Sequence, residues 1–255
     1  MTTALWREAR PAPFQGAFGN LTRLAIIGFA IVASLSSFLA LGQVLGLRYW
    51  PTYHGYSTGL FFSPVTQGEF LGLVVVALVT QRLWYFLPGL TPGLALCPSR
   101  AMWASIALGL VAVYVRKPLL LLILILALAL ALTIHPSSSD LERLRVWAAA
   151  WNHLTFLGNG FGSFEDMWFV KGSVGIQPLY VHNDYLQLVF EFGIFALVPF
   201  TLVAYSLSRT ASREWPILVV FLFQASFSMP LHIPVVALLG ALALARTLTF
   251  GESNA

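Results

Sequence analysis

The chain has 255 residues, of which 58% are hydrophobic and only 9% charged, against roughly 25% charged in soluble globular chains. With a mean hydropathy of +0.80, this composition excludes an ordinary water-soluble enzyme and indicates a polytopic, all-α membrane protein. The single cysteine, Cys97, rules out an internal disulfide framework and a cysteine metal cluster. The sequence pI of about 9.5 is read as positive-inside charge rather than as a nucleic-acid surface.

A spanning helix needs roughly 20 mostly apolar residues. Residues 1–23 are basic and hold no short apolar stretch with a small-residue cleavage site, so they read as a cytoplasmic tail. Residues 24–255 read as one transmembrane domain. Its eight spans fall at about 24–46, 65–80, 83–98, 101–115, 118–134, 186–207, 215–230 and 233–249. The third contains Pro88, Gly89, Pro92 and Gly93 and is expected to be broken or tilted. Leu119–Leu132 is nearly pure Leu, Ile and Ala.

Placing the N-terminus inside puts nine basic residues on the inner face: Arg7, Arg10, Arg23, Arg82, Arg116, Lys117, Arg209, Arg213 and Arg246. Five lie outside, namely Arg48, Arg100, Arg143, Arg145 and Lys171, together with seven of the ten acids and all five histidines, His54, His135, His153, His182 and His232. One topology thus gathers nearly all the candidate chemistry on the outer face. The connection over residues 135–185, about fifty residues, is long enough to imply a function. Its aromatic content (Trp147, Trp151, Phe156, Phe161, Phe164, Trp168, Phe169) argues for an ordered loop. Within it, Leu141–Leu154 reads as an amphipathic helix at the membrane interface.

The segment Tyr180–Leu197, YVHNDYLQLVFEFGIFAL, places His-Asn-Asp at the head of a strongly apolar helix. Asp184 fits as N-cap with Gln187 three residues on, a capping-box pattern. His182 then precedes a helix N-terminus, where N–H groups and the dipole favour an anion, and its imidazole is suited to proton transfer. Asn183, Asp184 and Glu191 are read as supporting residues. Arg100, Arg143 and Arg145 are candidates for gripping phosphate through a planar fork, or for anchoring the chain at the membrane edge. Glu69 and Glu191 are read either as partners for one of these arginines or, equally, as structural charge partners. The GxGxG run in Leu157–Phe164 is a weak nucleotide fingerprint, because no strand precedes it. A tight turn or a close backbone approach is the better reading. Glu165-Asp166 reads as a solvated turn and His232 as structural. No DxD or HExxH is present, so no metal site is expected.

Taken in order, these elements resemble the O-antigen ligase/polymerase superfamily of bacterial membrane glycosyltransferases. Gly59-Leu-Phe-Phe-Ser-Pro64 is similar to the family's Gly-x-Phe-x-Asn-Pro, with Ser63 in place of Asn. Ser99-Arg100 is similar to its Ser-Arg at the outer end of a span, and Arg143-Leu-Arg-Val-Trp147 to its Arg-x3-Trp. His153-Leu-Thr-Phe-Leu-Gly-Asn-Gly-Phe-Gly-Ser-Phe164 resembles its His-Pro…Leu-Gly-x-Gly-x-Gly-x-Phe, with Leu154 in place of Pro. His182-Asn-Asp-Tyr-Leu-Gln with Glu191-Phe-Gly-Ile194 is the most specific element. The resemblance covers about residues 40–250 and implies a short or N-terminally truncated member.

What the resemblance implies is a GT-C-like helical bundle in the bacterial inner membrane with its active site facing the periplasm. There a glycan would pass from a polyprenyl-diphosphate-linked donor to a sugar hydroxyl, on a growing glycan or on lipid A-core, without cofactor, obligatory metal or nucleic acid. By position, Arg100 and Arg143 would bind diphosphate and His182 would act as the base; Arg145 joins the arginines on proximity alone. The alternatives are a transporter or flippase, for which span interiors should carry charges, and a non-catalytic assembly subunit of a polysaccharide export system.

Overall fold

A computed structural model describes residues 12–47, 56–61, 63–115, 138–165, 181–208 and 213–250. It is built of α-helices joined by turns and short 3-10 segments, with no β-strand among the described residues. The helices are α1 Ala12–Val44, α2 Pro64–Thr80, α3 Leu87–Leu96, α4 Arg100–Tyr114, α5 Ser138–Trp151, α6 Asp184–Phe192, α7 Leu197–Ser208, α8 Trp215–Ala225 and α9 Pro234–Phe250. The expected span at 118–134, with Arg116, Lys117 and His135, lies outside the described residues, as do Arg48, His54, Asp166 and Lys171.

Local chemistry sets the boundaries. Ser63 caps α2 by accepting the Val65 N–H, with Pro64 at the first position, where its missing donor costs nothing. Ser99 caps α4 by accepting the Met102 N–H. Pro92 inside α3 cannot donate to the Pro88 carbonyl one turn back. The Thr91 hydroxyl donates to that carbonyl instead, at 2.7 Å, so α3 survives as a short ten-residue helix. The first helix begins at Ala12, inside the stretch read as a tail; its apolar part is Gly19–Val44.

Helix α2 is the centre of the bundle, with every residue from Gln67 to Thr80 buried. Close contacts give the helix directions. Gly68 approaches Ser99 and Met102, and Gly109 approaches Val76 and Val220, so α2 and α4 run parallel. Gln224 donates to the Glu69 carbonyl at one end of α8 and Gln81 reaches Glu214 at the other, so α8 runs antiparallel to α2. Gly240 against Phe221 and Arg246 against Glu214 set α9 antiparallel to α8. Gly89 and Gly93 meet Ser34 and Ser37, making α3 parallel to α1. The heads of α2, α4 and α9 and the ends of α3 and α8 therefore share one end of the bundle.

Two helical segments, Gly19–Val44 and Asp184–Tyr205, are long and apolar enough to cross a membrane, against the eight expected; four others are apolar but shorter. The second of the two is not a straight rod. Gly193, at φ +55°, ends α6, and Gly193–Ala196 form a 3-10 turn. The rings of Tyr185 and Phe200 stand 5.9 Å apart, whereas fifteen residues of continuous helix would separate them by about 22 Å. The expected span 186–207 is thus a sharp fold-back of α6 on α7. The cause is that Gly193 sits against the Phe156 carbonyl and the Gly158 N–H, where a side chain has no room.

Side-chain polarity is inverted relative to a helix packed in water. Helix α1 exposes Leu21, Leu24, Ile31, Leu35 and Phe38 while burying Thr22, Ser36 and Ser37 beside Ala30, Ala33 and Ala40. Helix α6 turns Asp184, Gln187 and Glu191 inward. Small and weakly polar residues at helix interfaces, with large apolar ones outward, are the pattern of helices packed in lipid.

Candidate functional site

The site is built where the head of α6 enters the shared end of the bundle. Asn183, with extended backbone, is the N-cap: its Oδ1 accepts the Leu186 N–H at 3.0 Å. This corrects the expectation that Asp184 caps. Asp184 is 1% exposed and turns the other way, accepting the Leu231 N–H at 2.9 Å and facing His232 Nδ1 at 3.1 Å. Gln187 does not close a box onto the cap; its Oε1 accepts the Val181 N–H at 3.2 Å. Glu191 is not matched to an arginine in these contacts; its Oε1 accepts from Gln187 Nε2 at 2.9 Å.

His182 adopts a left-handed backbone, φ +57°, a conformation uncommon outside glycine and costly by about 1–3 kcal/mol. Burial, and secondarily the positive charge of Arg143, lower the imidazole pKa from 6.5 to about 4. The ring is therefore neutral at pH 7 and able to accept a proton, but weakly. An anion bound beside it reverses the local field and strengthens it as a base.

The two loop arginines part company on α5. Arg143 is half-buried on the face that carries the buried Val146 and Ala150, whereas Arg145 is exposed, about 200° around the helix. Arg143 acts electrostatically on both His182 and Glu69; Arg145 does not share that face. Arg100 opens α4 and is exposed at the same end of the bundle, on the turn whose Cys97 and Ser99 pack against Gly68. Glu69 is buried, hydrogen-bonded to Ser228, and within the field of Asp184 and Arg143.

The GxGxG loop approaches a helix end. Asn159 N–H and Gly160 N–H donate to the Phe190 and Glu191 carbonyls at 2.9 and 3.0 Å, and Ile194 N–H donates to Phe156 O at 2.9 Å. The first two bonds satisfy carbonyls that the end of α6 leaves open, and the third satisfies a loop carbonyl. His153 lies in the turn just after α5, with Nδ1 at 2.8 Å from the Ala149 carbonyl. Glu165 is exposed. Between α5 and the α6–α7 fold-back lies an apolar cavity of about 490 Å³, lined by Trp147, Trp151, Asn183, Tyr185, Leu186 and Phe200 among others. Among the described residues no group of three or more His, Cys, Asp or Glu stands together as a metal site.

Sequence reasoning read His232 as structural without finding its partner, Asp184, and gave Gln187 to a capping box rather than to Val181 and Glu191. The available signal was the spacing Asp184, Gln187, Glu191, at i, i+3 and i+7 of an apolar helix, which puts three polar groups on one face.

Arg143→Gln is expected to raise the His182 pKa from about 4 toward 6.5 without reaching it, because burial is the larger cause. Histidine-selective NMR titration of the protein in nanodiscs measures this, and an unmoved titration midpoint would place Arg143 elsewhere.

Comparison with protein-family models and with curated proteins gives no match for this chain.

Proposed function

We propose that this chain is a multi-pass membrane glycosyltransferase of the O-antigen ligase/polymerase type, which moves a glycan from a polyprenyl-diphosphate carrier to a sugar hydroxyl at the non-cytoplasmic face. The observation that carries the reading is the head of α6. A neutral, half-buried His182 in a strained backbone stands within the field of Arg143, next to an apolar cavity.

In the proposed reaction the diphosphate lies against Arg143, with Arg100 contributing from the head of α4. His182 takes the proton of the acceptor hydroxyl as its oxygen attacks the anomeric carbon, and the carrier diphosphate leaves. The anion both draws charge from Arg143 and makes His182 more basic, so base strength and donor binding are coupled. Arg145 is left with the anchoring role open to an exposed arginine at a membrane edge. The apolar cavity beside Asn183 suits the lipid part of the donor.

The polarity inversion of α1 and α6 supports a lipid surround. The layout also favours one-face chemistry over transport. The polar groups at the α6 end are separated from the Gln81–Glu214–Arg246 cluster at the other end by Val74–Leu78, Val219, Val220 and Leu239, all buried and apolar. A conduction path needs polar groups near mid-depth.

The test is a glycan ladder from cells carrying the native gene, a deletion, or a His182→Ala copy that inserts normally. Loss of long chains in both altered strains identifies a polymerase, and loss of attachment to lipid A-core identifies a ligase. A deletion phenotype that the His182→Ala copy rescues fully overturns the assignment.

A further inference from the structure

Four polar side chains that the transfer chemistry does not use form one closed network beside His182. Gln187 Nε2 donates to Glu191 Oε1 at 2.9 Å and lies 3.2 Å from His232 Nε2, while its Oε1 accepts the Val181 N–H. His232 Nδ1 lies 3.1 Å from Asp184 Oδ1.

Each role in this network is determined by its neighbours. The Val181 N–H can only donate, so the amide oxygen of Gln187 must face it. The amide NH2 then points at Glu191 and His232. His232 Nε2 must therefore accept, which leaves its proton on Nδ1, toward Asp184. Rotating the Gln187 amide would set its oxygen against the Glu191 carboxylate and its NH2 against the Val181 N–H. All three bonds of the carboxamide would be lost together.

The object held by this rigid carboxamide is the residue before His182. Val181 is fully buried. Its N–H is held by Gln187, and its carbonyl accepts the indole N–H of Trp147 at 2.9 Å. The peptide entering Val181 is thus held from α6 through its N–H, the Val181–His182 peptide is held from α5 through its carbonyl, and Asn183 pins the following residue as the helix cap. Left-handed backbone in a histidine persists only where its surroundings over-determine it.

We propose that Gln187 and Trp147 are positioning residues that clamp Val181 and so hold the His182 imidazole toward Arg143, with Asp184, His232 and Glu191 keeping the Gln187 amide in one orientation. The inference rests on the reading of His182 as the base only for its effect on turnover; the effect on the conformation of His182 stands apart from it.

The test uses the full chain in nanodiscs with ring-labelled histidine. Gln187→Met keeps side-chain length and removes every hydrogen bond. The expected result is a shifted His182 ring resonance, with its titration midpoint moved upward as the imidazole loosens. Turnover should fall 10- to 100-fold while KM for the donor changes less than threefold. A folded Gln187→Met protein whose His182 resonance and titration are unchanged overturns the proposal, whatever its thermal stability. Should that variant fail to fold, Trp147→Phe releases the carbonyl of Val181, on the peptide that leads into His182, and is expected to move the same resonance; an unmoved resonance there overturns it equally. A moved resonance supports the clamp even where His182→Ala leaves turnover intact, an outcome that would instead sink the general-base assignment.

Discussion

His182→Ala is expected to lower the transfer rate by about 10²–10⁴ while leaving donor affinity within a few-fold. The asymmetry follows from the geometry. In the proposed reaction the imidazole would take the acceptor proton, whereas Arg143 and Arg100 would grip the diphosphate, and neither arginine is placed by the ring. The pH profile supplies a second reading. An ordinary histidine base would lose half its activity near pH 6.5 as it protonates. Burial, and then Arg143, lower the pKa of His182 to about 4, so it stays unprotonated down to that region. The acid limb of kcat/KM, which reports the free enzyme, should accordingly fall near pH 4 rather than near 6.5. Activity should persist at pH 5.5, and Arg143→Gln should move the limb upward. A limb near 6.5 in the native protein would assign the base to another histidine.

Gly158→Ala should destabilise the fold by on the order of 3 kcal/mol or more, among the largest effects of a single methyl group. Two causes combine at this position. The backbone is left-handed, φ +83°, which costs an L-residue roughly 1–2 kcal/mol. An added Cβ would also strike the Glu191 carbonyl and the Phe192 backbone, which cannot move without opening the end of α6. Gly162 separates the two causes: its φ is +75°, yet a Cβ there meets nothing within 4 Å. Gly162→Ala should therefore cost only about 1–2 kcal/mol. Thermal unfolding of both variants in the same detergent measures the difference. Equal midpoints would mean that the loop does not clamp the helix.

Much of the helix inventory was legible because its signals are local. Ser63-Pro64 and Ser99 start α2 and α4 where capping chemistry predicts, and Pro88 and Pro92 mark the short α3. What escaped depends on distant contacts. The fold-back at Gly193 depends on Gly158 lying against it, thirty-five residues away in sequence, and an apolar run continues unbroken across that point. Asp184 looked like a cap because Asx residues before apolar helices usually are. Its true partners, Leu231 and His232, sit in a turn that no local pattern connects to it. Asn183 was equally able to cap, and its Oδ1 takes the Leu186 N–H. Arg143 and Arg145 were indistinguishable as charges. Only the buried Val146 and Ala150 tell which of the two faces the bundle.

The length of α4 has a consequence for the bilayer proposed around this chain. This helix is capped at both ends, by Ser99 and Val115, and its 15 residues span about 22 Å, with Trp103 and Val111 exposed along it. That falls short of a hydrocarbon layer about 30 Å thick, and a short helix draws the surrounding leaflets together. The film would be thin beside α4, whose head carries Arg100 at the same end of the bundle as His182, so a carrier lipid there could bring its diphosphate level with His182 without being lifted out of its leaflet.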